Sequence, residues 1–352
     1  MRFSDTSPEA ALRSCSAFKT PMVSLDESAM RRFLASDDAA YPGLLDFRIA
    51  STNSFPELSF ESPLEEAGFI VLVHGLDFGS GFRTALHRHR GGQGAWLTIR
   101  AGLVALGKAY GTTVRASWLQ GITLLEVKKL FDIDASDLQL LAEQIHGVLM
   151  EFGEVLGRSG HETLGAWAAE SGQQGACALV SELVTTFPFT FGDSYVVERK
   201  DLPGVYDLPE QQHVVLAKKA QLVVSEIHMR FREDTDPRCK AWVFHDFESL
   251  SGFIDNVVVA VLRKLGILRC SNELNARIDG LETLQAGSWE EVSLRAKGLV
   301  AIHELVEYYN AMHSSEKKLT AAQLCNYMWG GLGKEPTFRA YPRHLTPSTL
   351  FY

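Results

Sequence analysis

The sequence predicts an all-α fold, predominantly helical with at most a few short strands, and three observations carry that expectation. Apolar residues recur at i, i+3, i+4 and i+7 through several segments, the spacing that builds one buried helical face. Ser or Thr followed three residues later by Glu or Gln stands ahead of three such segments, the signature of a capping box. Strand-type alternation is scarce, and no internal repeat or long low-complexity tract interrupts the chain. With 352 residues and 46% hydrophobic content, the chain can bury a sizeable core as one large domain or two fused lobes.

Taken in order, residues 1–65 mix Ser, Pro and acidic side chains with little periodicity and read as a partly ordered extension. A helical domain is expected over 66–352, divisible into lobes at 66–190 and 209–352. Residues 69–73 are apolar throughout, which suits a short buried strand and a helix segment equally. The following H-G-L-D-F-G-S-G (74–81) admits two readings. Its glycines let backbone N–H groups approach a ligand, with His74 and Asp77 as polar contacts, or it is a tight turn in which Asp77 caps the next helix. Residues 83–90 gather basic side chains, either as a solvated loop or as a seat for one phosphate. Ser136 with Gln139 opens a stripe of Leu138, Leu141, Ile145, Val148, Leu149, Phe152 and Leu156. Residues 187–208, punctuated by Pro, Gly and Asp, read as a connection. Residues 214–224 (V-V-L-A-K-K-A-Q-L-V-V) read as a lysine-bearing amphipathic helix, and a second apolar stripe runs through Ile254, Val257, Val258, Val261, Leu262 and Leu265. Ser288 with Glu291 precedes Val292, Ala296, Leu299, Ile302, Leu305 and Tyr309, and Thr320 with Gln323 precedes L-C-N-Y-M-W.

Charge and composition exclude several classes. A net charge of −9 offers no footprint for a long phosphate backbone, so polymeric nucleic acid is not an expected partner. The longest apolar runs fall far short of the ~20 residues of a membrane span, and no secretory signal is visible in the first 30 residues. Five scattered cysteines match neither a disulfide framework nor a zinc site, and a reducing cytoplasm is the expected compartment. G-G-L-G-K-E is not a P-loop, because Met328 and Glu335 stand where a glycine and a hydroxyl are required. His87 and His89 lack the partners of a metal site, and neither metal nor cofactor is expected.

The chemistry is expected between 214 and 268. Asp255 falls at the start of the second apolar helix, where unpaired N–H groups and the positive dipole end hold a carboxylate ionised. Lys218 shares a helical side with Val215 and Leu222, so its ammonium is expected to emerge from an apolar flank. The alternative for each is ordinary: a helix cap for Asp255 and a snorkelling side chain for Lys218.

This segment resembles the queuosine-salvage family of nucleotide N-glycosidases. That family carries F-Y-K-R-A-Q-I-L and then F-x-D-x-x-x-L-T-x-F-A-D-Y-R-V-P, where this chain has L-A-K-K-A-Q-L-V and F-H-D-F-E-S-L-S-G-F-I-D-N-V-V-V. Lys218, Ala220, Gln221, Phe244, Asp246, Leu250, Phe253 and Asp255 stand in register. F-I-V-L-V-H-G-L-D-F is similar to W-x-F-V-x-D-x-L-N-F, and I-T-L-L-E-V-K-K-L-F to T-L-x-x-V-R-x-I-F. N-Y-M-W and the final L-F-Y resemble D-Y-Y-L-W and an aromatic C-terminus, so the similarity runs from about residue 69 to the end. The departures mark a divergent member. Cys325 and Gly330 replace the two acids of D-Y-Y-L-W-D, His74 and Asp77 replace Asp and Asn, residues 256–259 replace Y-R-V-P, and H-x-L-N-P is absent.

The resemblance implies a helical architecture like that of the helix-rich DNA glycosylases, and hydrolysis of the N-glycosidic bond of queuosine 5′-monophosphate or a related modified nucleotide. Its partner is then a small molecule, and the product queuine feeds queuosine salvage in tRNA modification. Cleavage of C1′–N passes through an oxocarbenium-like sugar, which a nearby carboxylate stabilises. Asp255 is the candidate for that role, with Lys218 keeping it ionised and contacting sugar or 5′-phosphate. Asp246, nine residues earlier, is a candidate to orient base or water, or else an N-cap. Phe253 offers a flat face to the base, and Tyr327 and Trp329 are further platforms, ordinary core packing being the alternative. His74 and Asp77 complete the substrate-binding candidates. The missing acids leave open a non-catalytic nucleotide-binding protein descended from such an enzyme.

Overall fold

A computed structural model describes residues 5–36, 44, 55–202, 204, 206–313 and 318–352. Its main helices are α1 (Pro8–Ala17), α2 (Glu27–Leu34), α3 (Pro63–Gly75), α4 (Ala95–Tyr110), α5 (Leu124–Phe131), α6 (Gln139–Ser159), α7 (Leu164–Ser171), α8 (Ala176–Thr186), α9 (Lys218–Phe231), α10 (Asn256–Lys264), α11 (Trp289–Met312) and α12 (Ala321–Asn326). Among the described residues the strands are β1 (Val23–Leu25), β2 (Ser194–Glu198), β3 (Gln211–Val215) and β4 (Leu268–Cys270), paired antiparallel as β1–β4 and β2–β3. The predicted all-α class is the observed one. No described helix is long and apolar enough to cross a membrane.

The chain forms two compact units, one of Met1–Ile49, Ser194–Lys218 and Glu248–Thr346, the other of Ala50–Asp193, Lys219–Phe247 and Pro347–Tyr352. In the first, the 24-residue α11 is the central element, with α1, α2, α10 and α12 packed against it. Val292, Leu294, Ala296, Leu299, Ala301, Ile302 and Leu305 are all fully buried on it. Gly298 lets the segment leading into α10 approach closely, since a Cβ there would sit 2.9 Å from a methyl of Ile254. Ser288 caps α11 by accepting the Glu291 N–H, but the Glu291 carboxylate takes the N–H of Gly287 instead of closing a capping box. Thr320 and Gln323 form the full reciprocal box ahead of α12. Within residues 1–65, read as a partly ordered extension, lie α1, β1 and α2, with Ala11, Cys15 and Met30 fully buried.

In the second unit α3 runs against α7, and Gly165 is required there because a Cβ would stand 1.9 Å from the carbonyl oxygen of Leu64. Phe152, Trp167, Phe187 and Phe191 build an aromatic cluster beside it.

One open reading is settled, in favour of a helix, and two local expectations are corrected. Residues 69–73 lie inside α3, which Ser62 caps and Pro63 opens; every residue from Glu66 to Gly75 is buried, so no periodicity survives to distinguish helix from strand. Residues 214–224 are not one helix. Val214 and Val215 end β3, where β-branched side chains suit a pleated surface, and α9 begins only at Lys218. Ser136 does not cap a helix, because Ser136–Leu138 forms a 3-10 turn and α6 starts at Gln139 with no side-chain cap.

Candidate active site

Asp255 is the N-cap of α10. Its Oδ1 accepts the N–H groups of Val257 at 2.9 Å and Val258 at 2.8 Å, satisfying two of the donors that a helix start leaves unpaired. The residue is only 4% exposed. Two amides and the positive end of a nine-residue helix therefore face a carboxylate largely removed from water, where their attraction is strong.

The loop leading into Asp255 is held from behind by α12. The Phe253 N–H donates to Sγ of Cys325 at 3.3 Å, and a Cβ on Gly252 would lie 2.9 Å from the same sulfur. Gly252 has φ +109, a conformation that glycine alone adopts without strain. Burial pushes the Cys325 thiol up to about 12; the Phe253 N–H opposes the rise and the charge of Asp255 adds to it. Cys325 is thus a neutral thiol in electrostatic reach of Asp255, at the first position where the family motif carries an acid. After α12 the backbone widens into a π-helical turn over Tyr327–Gly331, a form common at functional sites. This turn packs on α10, with Gly333 so close that a Cβ would stand 2.7 Å from a Val257 methyl. Tyr327 is buried, and the half-buried Trp329 carries the Lys334 ammonium 5.3 Å over its ring.

Lys218 is the first residue of α9 and 3% exposed. Ala217 before it has φ +51, a left-handed conformation costing an L-residue of this kind about 1–2 kcal/mol. This residue turns the chain from β3 into α9. A cation at a helix N-terminus is opposed by the dipole, so the helix itself supplies no reason for a buried lysine there.

The first unit therefore holds Lys218, Phe253, Asp255, Tyr327 and Trp329. His74, Asp77 and Asp246 belong to the second and have surroundings of their own. His74 Nε2 lies 2.6 Å from the Glu226 carboxylate, both side chains 9% exposed. Asp77 is half-buried after α3 and caps neither following helix, whose N-caps are Gly79 and Phe82. Asp246 accepts the N–H groups of Ala176 at 2.8 Å and Cys177 at 2.9 Å, so it closes the start of α8 from 70 residues downstream. Burial works to raise its pKa, but the two amides outweigh burial and leave the carboxyl below its usual range. A depressed pKa means that this stabilisation is complete above about pH 4 and is lost as the pH falls through the folded value. Asp246→Ala is expected to lower stability by about 1–2 kcal/mol at neutral pH, and by less at an acid pH below the ordinary aspartate range. Urea unfolding at both pH values measures this, and a gap that persists undiminished in acid would exclude the cap as its source.

Sequence reasoning missed the charged layer under Asp255. Arg295 and Glu291 on α11 are both fully buried and 3.2 Å apart. Arg295 also donates to the carbonyl of Ile254 at 2.9 Å and to the Tyr195 hydroxyl at 3.1 Å. His344, buried nearby, is held neutral: burial first, then the charges of Arg295 and Arg263, lower its pKa to about 3. Its carbonyl accepts from Nδ2 of Asn256, the first residue of α10. The signal was present, because Arg295 lies three residues after Val292 and so interrupts the apolar stripe of α11 with a charge.

Fold and site define a helical protein whose buried, helix-capped carboxylate is suited to stabilise positive charge in a bound ligand. A family model described as queuosine salvage protein matches residues 90–352, and the chain belongs to that family. It is 29% identical over 272 residues to the queuosine 5′-phosphate N-glycosylase/hydrolase of Sphaerobacter thermophilus, covering 74% of this chain and 76% of that one. With the mouse protein of the same name it shares 24% identity over 319 residues, 87% of each chain.

Proposed function

We propose that this protein hydrolyses the N-glycosidic bond of queuosine 5′-phosphate, releasing queuine and ribose 5-phosphate for queuosine salvage. The observation that carries this reading is the Asp255 carboxylate, 4% exposed and fixed by two amides at the start of α10. The C1′–N bond breaks with its electron pair leaving on the base, water oxygen bonds to C1′, and a proton ends on the base. The sugar is cationic as this happens, and a desolvated, immobile anion stabilises it without reorganising. In this scheme Lys218 balances the charge of Asp255 and contacts sugar or phosphate, while Phe253, with Tyr327 and Trp329, offers aromatic faces to the base. The scheme assigns no step to His74, Asp77 or Asp246. The names of the relatives support the same substrate.

The test is release of free queuine, followed by chromatography, from queuosine 5′-phosphate, unphosphorylated queuosine and guanosine 5′-phosphate. Release from the first and none from the last is expected. Protein that binds the nucleotide but frees no base from any of the three defeats the proposal.

A further inference from the structure

We infer that Arg295 is a positioning residue, which fixes Asp255 and Lys218 relative to one another; this inference rests on the function proposed above. Arg295 is fully buried, and its guanidinium links the backbone that presents Asp255 to the hairpin that leads into Lys218. One arm is the 2.9 Å bond from Nε to the carbonyl of Ile254, which belongs to the peptide unit whose N–H is that of Asp255. Fixing this carbonyl fixes the plane from which the Asp255 side chain departs. The other arm is the 3.1 Å contact of Nη1 with the Tyr195 hydroxyl. Tyr195 lies on β2 opposite Val214 of β3, and β3 ends at Val215, three residues before Lys218.

The connection is stiff at each joint. The Asp255 end is locked by the two amides of α10. The hairpin end keeps five residue pairs in register, and Ala217 adds a left-handed turn at φ +51. The Glu291 carboxylate, 3.2 Å from Nη1 and itself bonded to the Gly287 N–H, holds the guanidinium in the plane that serves both arms. Three acceptors around one planar fork suit arginine and not lysine, whose single nitrogen cannot span them. An acid–cation pair presented by separate elements is only as well placed as what joins those elements, and small misplacements cost rate.

Two variants test this. Arg295→Lys keeps the charge facing Glu291 but gives up one arm, and Tyr195→Phe removes only the hairpin arm. For queuine release, Arg295→Lys is expected to lower kcat about 10–100-fold and Tyr195→Phe about 3–10-fold, with KM within about twofold of wild type in both. Amide exchange at Val257 and Val258 in solution should also quicken in Arg295→Lys, while amides of α2 keep their wild-type rates. A purely structural role instead lowers the melting temperature and leaves kcat unchanged wherever the variant is folded, a result that overturns the inference. Should Arg295→Lys not fold, Tyr195→Phe carries the same kcat-against-KM split. If wild type frees no queuine, the proposed function falls, and the exchange rates alone decide positioning: quickened at Val257 and Val258 they support it, unchanged they overturn it.

Discussion

Asp255→Asn is expected to slow queuine release by about 10³-fold or more while leaving the protein folded. The two consequences separate because the carboxylate does two jobs through different properties. As an N-cap it needs only an oxygen that accepts from the Val257 and Val258 amides, and asparagine caps a helix as well as aspartate does. The loss of stability should therefore stay within about 1 kcal/mol, readable by urea unfolding. As a stabiliser of a cationic sugar it needs a full negative charge, which the amide lacks. Burial sharpens the contrast, because at 4% exposure water cannot substitute for the missing charge. Single-turnover release of base, compared with wild type at equal nucleotide saturation, measures the effect. A variant that keeps its rate within about tenfold of wild type would move the chemistry to another group.

How far the sequence could be read follows from which forces are local. Asp255 was legible because an N-cap is a short-range device: the carboxylate and the amides it accepts lie within three residues. Thr320 with Gln323 was legible for the same reason. The Asp246 cap was not, because it closes a helix 70 residues away and only the folded chain brings them together. Helix α3 was ambiguous because burial on all sides erases the amphipathic signal. At 214–217 a helical spacing misled, since pairing of Val214 and Val215 with β2 and the left-handed Ala217 override it. Of the candidate site, Asp255 and Lys218 were named from motif and pattern, whereas the buried Glu291–Arg295 pair on α11 was overlooked. Glu and Arg four apart on a helix ordinarily form a weak exposed pair, and only the fold shows that Glu291 and Arg295 are sealed from solvent.

That burial makes the pair the origin of the largest expected stability effect. Glu291→Met removes the buried carboxylate that faces the Arg295 guanidinium at 3.2 Å, and breaking a buried ion pair by taking away one partner costs about 3–5 kcal/mol. Adding Arg295→Met removes the guanidinium as well. The double variant is expected to regain more than half of the loss, because apolar side chains of similar length fill the space and the remaining deficit is the unmet Ile254 carbonyl and Gly287 amide, about 1–3 kcal/mol together. Turnover should not follow stability: the double variant still lacks the link from Ile254 to Tyr195, so it should be folded and slow. Urea unfolding and queuine release on the same four proteins form a cycle in which the two readouts part company. A double variant no more stable than Glu291→Met would show that the loss comes from packing around residue 291 rather than from the Arg295 charge. One that regains both stability and rate would show that the charged layer serves the fold alone.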